Sequence, residues 1–199
     1  MLVFASAQYE NLIALVQTTD YFTVGGCWPI SHTNARIIEN LKIKRKYISQ
    51  ADLFLSNIPE NSHLVFLHIR RGDYKNQKIY GKDCLLPVGY FKEQIEYFLQ
   101  NRQNCFFIFL SDDPDFIEKE FDYIENKQIS TKAHFGTDLT IMSKCKSAIL
   151  SPSSFGWWGA YLMSERDIIC VPKYWLGFKS GVEYHTNANP SFAKEVTIC

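Results

Sequence analysis

Three short clusters carry the residue types that could do chemistry. The first is His68-Ile69-Arg70-Arg71-Gly72-Asp73. Alternation along an extended strand sends His68 and Arg70 to one face and Ile69 to the other. Gly72 frees the backbone to turn. Two adjacent guanidiniums followed by a carboxylate form a fork for phosphate, with Asp73 placed to hold Arg71. A strand-end ion pair with Arg71 left in solvent is the plainer reading of the same residues. The second cluster is Ser151-Pro152-Ser153-Ser154-Phe155-Gly156-Trp157-Trp158-Gly159. Hydroxyls and free N–H groups at a helix start make an anion site. Gly156 and Gly159 permit close approach of a neighbour or a ligand, and the paired tryptophans read as core anchors. The third cluster is Ser111-Asp112-Asp113. One aspartate caps a helix. The other is free to accept two N–H bonds from a base edge such as guanine.

Other chemistries are missing from the sequence. There is no Gly-rich phosphate loop, no serine nucleophile elbow and no carboxylate pair in a hydrolase setting. Asp112 and Asp113 are adjacent rather than spaced, and Pro114 commits them to a cap. Any phosphate here would be neutralised by arginine and a helix dipole, with no metal called for.

The elements that must position these clusters alternate in type. His63–Ile69 is a short apolar run, read as a buried strand. Residues 87–101 follow as a helix, with Pro87 in the first turn and Phe91, Ile95, Phe98 and Leu99 on its inner face. Residues 105–110 are a second buried strand. Asp113 caps the next helix, Pro114 opens it, and Phe116, Ile117, Phe121 and Ile124 form its inner face. Another helix starts at Gly136-Thr137-Asp138. Ser147–Leu150 is a third strand, with a helix after it that runs through Leu162 and Met163. Residues 167–171 are the last strand, stopped by Pro172. Strand and helix in alternation predict a parallel sheet covered on both faces, α/β and Rossmann-like. Right-handed crossovers put every strand C-terminus on one edge, where ligands bind. The three polar clusters follow three strands and so point to one crevice. Residues 2–16 have apolar residues at helical spacing, and residues 36–47 form an amphipathic helix with a basic end.

Composition narrows the classes. The chain has 199 residues, 46% of them hydrophobic, which excludes a disordered chain. Lys+Arg and Asp+Glu each number 21, so the basic excess of a nucleic-acid binder is absent. No apolar run approaches the roughly 18–20 residues of a membrane span, and residues 1–7 lack the basic head of a signal peptide. The six cysteines include no CxxC spacing and read as buried thiols, with disulfides open in an oxidising compartment.

Three motifs in order, HIRRGDY at 68–74, SDDP at 111–114 and SPSSFGWWGAYL at 151–162, resemble the α-1,2-fucosyltransferases, the galactoside 2-α-L-fucosyltransferase family. Tyr90-Phe91 and the run Val171-Pro172-Lys173-Tyr174-Trp175 fit the same pattern, and the likeness covers roughly residues 60–180. The resemblance implies a GT-B-like glycosyltransferase with GDP-fucose as donor and no metal or other cofactor. It implies inverting transfer of L-fucose to the 2-hydroxyl of a terminal galactose on a glycan acceptor. Arg70 and Arg71 hold the places of the family's diphosphate-binding arginines. His68 and Asp73 are then further catalytic candidates, Asp73 as general base. Asp112, Asp113, Ser151, Ser153 and Ser154 are the other donor-binding candidates. Residues 61–199 would be the donor-binding domain, and residues 1–60 a remnant of an N-terminal acceptor-side domain. Met1–Ser6 looks like the start of a helix that in the family follows a glycine-rich stretch. The resemblance also implies membrane association, in the Golgi of a eukaryote or at the inner face of a bacterial inner membrane. A catalytically impaired GDP-sugar-binding fragment is the alternative reading, and an unrelated α/β binding module a third.

Overall fold

A computed structural model describes residues 43–131, 133–184 and 188–198. The expected helix at 2–16 and residues 36–42 of the helix expected at 36–47, together with Cys27 and Cys199, lie outside the described residues.

Six parallel strands form the central sheet: β1 (His63–Ile69), β4 (Cys105–Ser111), β5 (Lys127–Ser130), β6 (Ser147–Leu150), β7 (Ile169–Pro172) and β8 (Lys194–Val196). Their spatial order is β5-β4-β1-β6-β7-β8. Counted along the chain within this sheet, that order is 3-2-1-4-5-6, the doubly wound arrangement. A small antiparallel hairpin, β2 (Lys78–Ile79) and β3 (Lys82–Asp83), follows β1. Its tip is Tyr80-Gly81, with φ of 51° and 74°. Positive φ at both central positions gives the turn the twist a two-residue hairpin needs.

The central strands are apolar on both sides, as burial on both faces requires. Val65, Leu67 and Ile69 of β1 and Phe107 and Phe109 of β4 point to one face. There they meet α2 (Val88–Asn101) through Phe91, Ile95 and Phe98, and α3 (Pro114–Glu120) through Ile117. Phe66, Ile108, Leu110, Ala148 and Leu150 point to the other face. They meet α1 (Arg45–Leu55), α4 (Phe135–Ser143) and α5 (Ser154–Tyr161) through Ala51, Ile141, Met142, Trp157 and Ala160. Trp157 is buried and stacks on Tyr161 at 4.9 Å, so it is the core anchor its sequence suggests. Cys84, Cys105, Cys145 and Cys170 are free and buried. Among the described residues no helix is long and apolar enough to cross a membrane.

Several expectations need correction. Leu99 faces solvent, 50% exposed, because it lies one position past the Ile95–Phe98 stripe of α2. The helix expected over residues 36–47 is not continuous through its described part: Lys44 is extended, and a helix starts at Arg45 and ends at Leu55. It packs on α4, with Thr137 Oγ1 donating to Gln50 Oε1 at 2.6 Å and Lys144 Nζ 2.8 Å from Asp52. Ala51 of this helix is fully buried in the core on that face of the sheet. Pro172 ends β7 from within. It is opposite Val196 of β8, and the next residue, Lys173, donates its N–H to the Val196 carbonyl at 2.8 Å. Edge strands β5 and β8 and the hairpin were not expected at all.

The N-terminal edge of the sheet is locked by a polar clasp. Arg102 binds Asp167 with Nε and Nη2 at 2.6 and 2.8 Å. His63 Nε2 sits 2.9 Å from Ser147 Oγ and 3.6 Å from Asp167. Serine, histidine and aspartate converge here on one ring nitrogen, and Ser147 is fully buried. The geometry braces the strands.

Helices α5 and α4 approach closely at Gly159, where an added Cβ would lie 2.9 Å from Met142 Cβ and 2.2 Å from its Sδ. Gly159→Ala is expected to destabilise by about 1–3 kcal/mol through overpacking. In urea unfolding the midpoint should fall with the slope unchanged.

Candidate functional site

In a 3-2-1-4-5-6 sheet the loops after strands 1 and 4 leave toward opposite faces, and a crevice opens between them. Here those strands are β1 and β6. The chain leaves β1 toward α2 and leaves β6 toward α5, which lie on opposite faces. Arg70 and Arg71 follow β1, and Ser151, Ser153 and Ser154 follow β6. The switch point is therefore where the sequence concentrates its arginines and its serine-capped helix.

The strand ends are stitched together by side chains. Ser151 N donates to the His68 carbonyl at 2.9 Å, and Arg70 N donates to Ser151 Oγ at 3.0 Å. Ser111 Oγ donates to the Ile69 carbonyl at 2.8 Å and accepts from Asp113 N at 3.1 Å. Asp112 spans the gap from β4: its Oδ1 accepts from Arg71 N at 2.9 Å and its Oδ2 from Gly72 N at 3.0 Å. The same Oδ2 is 3.1 Å from Arg70 Nη1. A Cβ on Gly72 would lie 2.7 Å from that oxygen, so the loop needs glycine for close approach. Tyr74, buried, donates its hydroxyl to the Pro152 carbonyl at 2.5 Å, and burial pushes its pKa up.

The two arginines are held differently. Arg70 Nε pairs with Asp73 at 2.8 Å. This corrects the expectation that Asp73 holds Arg71: the short helical turn at Asp73–Lys75 folds Asp73 back to the residue three before it. Arg71 Nε instead pairs with Asp113 Oδ2 at 3.1 Å. Its guanidinium carbon lies 3.5 Å from the centroid of the Phe116 ring. Lys75 Nζ also reaches Asp113, at 2.9 Å. Asp113 caps α3 by accepting from Phe116 N, with Pro114 at the first helical position. Its pKa is lowered, first by the hydrogen bond from Lys75, then by that from Arg71. Both carboxylates of the third cluster are thus engaged with the β1 loop in the described contacts, whereas the sequence reading gave one of them to a base edge.

His68 is buried, with Phe155 edge-on at 5.7 Å and Gly156 against its ring. Burial first, and Arg70 second, push its pKa down to about 4, so the ring is neutral near neutral pH. Its Nδ1 has no hydrogen-bond partner among the described residues. Ser153 caps α5, accepting from Phe155 N at 3.3 Å, and Ser154 is the first residue of that helix. All nine candidates thus lie at three neighbouring strand ends: Arg70, Arg71, His68, Asp73, Asp112, Asp113, Ser151, Ser153 and Ser154.

Three further residues belong to this edge. Lys75 and Phe116 were invisible as site residues: a lysine in a loop is ordinary, and Phe116 had the spacing of a core residue. Asp138 lies in the first turn of α4, just beyond β5, and accepts from Ser130 Oγ at 2.5 Å. Burial raises its pKa to about 6.

A raised carboxyl pKa means the folded state binds the proton more tightly than the unfolded one. That contribution is fully present below the ordinary value of 3.8 and is lost as pH rises through about 6. Asp138→Asn should therefore stabilise the protein at pH 8 by at most about 3 kcal/mol. The gain should shrink to nothing below about pH 4. Chemical denaturation of both proteins across this range checks the sign.

Comparison with known proteins follows the same outline. The family model described as Glycosyl transferase family 11 matches residues 9–189. The O-antigen biosynthesis glycosyltransferase WbnK of Escherichia coli is 34% identical over 127 residues, covering 60% of this chain and 41% of that protein. The alpha-1,2-colitosyltransferase of Escherichia coli is 32% identical over 131 residues, covering 61% and 44%. The galactoside 2-alpha-L-fucosyltransferase SEC1 of Bos taurus is 23% identical over 140 residues, covering 66% and 38%. The chain thus spans about two fifths of the length of these relatives. Among solved structures, POFUT1 in complex with GDP superposes with a TM-score of 0.56 at 15% identity, covering 72% of this chain and 52% of that one. NodZ alpha-1,6-fucosyltransferase soaked with GDP-fucose gives 0.50 at 12% identity, covering 68% and 48%. These neighbours have GT-B-like folds, and the six-stranded parallel sheet matches that class.

Proposed function

The chain belongs to glycosyl transferase family 11, and from that premise we propose that it binds GDP-fucose at the β1–β6 switch point and serves transfer of L-fucose to the 2-hydroxyl of a terminal galactose. The observation that carries the reading is Arg71. Its Nε is spoken for by Asp113, while among the described residues neither Nη has a partner. Four N–H donors in one plane match two oxygens of a diphosphate. The name of the galactoside 2-alpha-L-fucosyltransferase supports the sugar and the linkage, and that of the alpha-1,2-colitosyltransferase supports the linkage. The GDP and GDP-fucose of the two fold neighbours support the donor.

The chemistry follows from charge. The galactose 2-hydroxyl attacks the anomeric carbon as the bond to the β-phosphate oxygen breaks, so the configuration inverts. Negative charge grows on the departing GDP. Arg71 and the N–H groups at the start of α5 stabilise that charge where it develops. Asp112, Asp113 and Ser151 hold the arginine loop in place, while Ser153 and Ser154 present the α5 terminus. Neutral His68, on β1 two residues before Arg70, serves as an uncharged donor-side contact. Asp73 has the most exposed side chain of the three loop aspartates, at 59% against 26% and 22%. That exposure makes it the candidate to take the acceptor's proton.

Positive charge for the diphosphate comes from the protein in this reading. GDP titrations should therefore give one affinity with and without EDTA; a strict Mg²⁺ or Mn²⁺ requirement would overturn that part. Arg71→Ala should lose about 2–4 kcal/mol of GDP binding, and Arg71→Lys should lose most of it, since lysine keeps the charge but not the fork. Calorimetric titration beside thermal melts separates this from unfolding. Unchanged affinity in Arg71→Ala would refute the assignment.

A further inference from the structure

The first turn of α3 does more than start a helix. Asp113 and Phe116, three residues apart, approach the same guanidinium from two directions. Asp113 Oδ2 takes Nε at 3.1 Å, and the Phe116 ring covers the guanidinium carbon at 3.5 Å. The two are mechanically one unit, because Asp113 also accepts from Phe116 N at 3.3 Å. Ser111 Oγ ties that unit to the end of β1. Phe116 itself rests edge-on against Phe121 at 6.2 Å, and Phe121 is buried.

A lone carboxylate on Nε would leave a guanidinium free to swing about that bond. A ring against one face removes this freedom, and stacking at this distance is favourable in its own right. The side chain of Arg71 is only 17% exposed, which fits a group held against protein rather than loose in solvent. Arg70 is held by two carboxylates, Asp73 at 2.8 Å and Asp112 at 3.1 Å.

We infer that Phe116 is a positioning residue that sets the plane of Arg71 and so the direction of the donors offered to a diphosphate. The inference rests on the donor-site reading above. Without Phe116 the charge at the site is unchanged, but the fork must be ordered when the ligand binds. Ordering a long side chain on binding lowers affinity.

Two readouts on the whole chain test this. The first uses GDP. Phe116→Leu keeps an apolar side chain against Phe121 and removes the π face. It should weaken GDP about 3–30-fold, the range that stacking energies of this type convert to. Phe116→Trp should restore affinity. In an Arg71→Ala background Phe116→Leu should have no further effect on GDP. The second needs no ligand. Relaxation of the Arg71 Nε–H group should report a restrained side chain in the parent and in Phe116→Trp. In Phe116→Leu its order parameter should fall below about 0.6. A lower melting temperature in Phe116→Leu, with GDP affinity and Arg71 order both unchanged, would show a merely structural phenylalanine and overturn the inference. If the parent chain bound no GDP at all, the donor-site reading would fall, and Arg71 order alone would decide for or against the clamp.

Discussion

The carboxylate of Asp112 is the bolt on which the site depends. It leaves the end of β4, crosses to the loop after β1 and accepts two consecutive backbone N–H groups there, those of Arg71 and Gly72. Those donors lie past the last residue of β1, where the sheet no longer supplies partners. Two charged hydrogen bonds to a partly shielded carboxylate are among the stronger contacts available to a loop. Because they act on the backbone, they orient Arg70 and Arg71 whatever the side chains do. The other devices refine what this bolt establishes. Asp73 and Asp113 each take one Nε, Ser151 takes the backbone N–H of Arg70, and Tyr74 fastens the following turn to Pro152.

The need for such a bolt follows from the sheet. A doubly wound sheet places β1 between strands whose helices lie on opposite faces, so the β1 and β6 loops part company. The parting makes the crevice, but it also removes the neighbours that would steady each loop. Positive groups brought together there repel unless carboxylates stand between them. Three cations, Arg70, Arg71 and Lys75, are interleaved with Asp73, Asp112 and Asp113. The formal charges of the three cations and three carboxylates cancel, and among the described residues the Nη groups of Arg71 have no partner. At the opposite edge Arg102, Asp167, His63 and Ser147 pair with one another.

Much of this was legible in the sequence where one physical signal dominated. β1, β4 and β6 are short apolar runs with polar residues at their ends, and only burial on both faces explains such runs. Asp113-Pro114 is a strong start signal, and the cap is where it was expected. Other parts were illegible for definite reasons. Lys127–Ser130 and Lys194–Val196 are polar and short because edge strands meet the core on one side only, so no apolar run marks them. The hairpin depends on a tyrosine at positive φ, which turn statistics disfavour. The exchange of partners, Asp73 to Arg70 and Asp113 to Arg71, depends on the short helical turn after Gly72 and on β4 lying beside β1. Neither is a property of the local sequence. Phe116 hid for a subtler reason: it has the spacing of a core residue and is partly one, and its second face is used by Arg71.

If a sugar nucleotide's diphosphate lies at the β1–β6 switch point, gripped by Arg71, a crystal structure of the chain with GDP-fucose will show it there. The β-phosphate oxygens are expected within hydrogen-bond distance of Arg71 Nη1 and Nη2, about 2.7–2.9 Å for charged pairs, with the α5 N-terminus facing the same phosphate. A diphosphate bound elsewhere, with the Arg71 guanidinium still stacked on Phe116 and empty-handed, would contradict it.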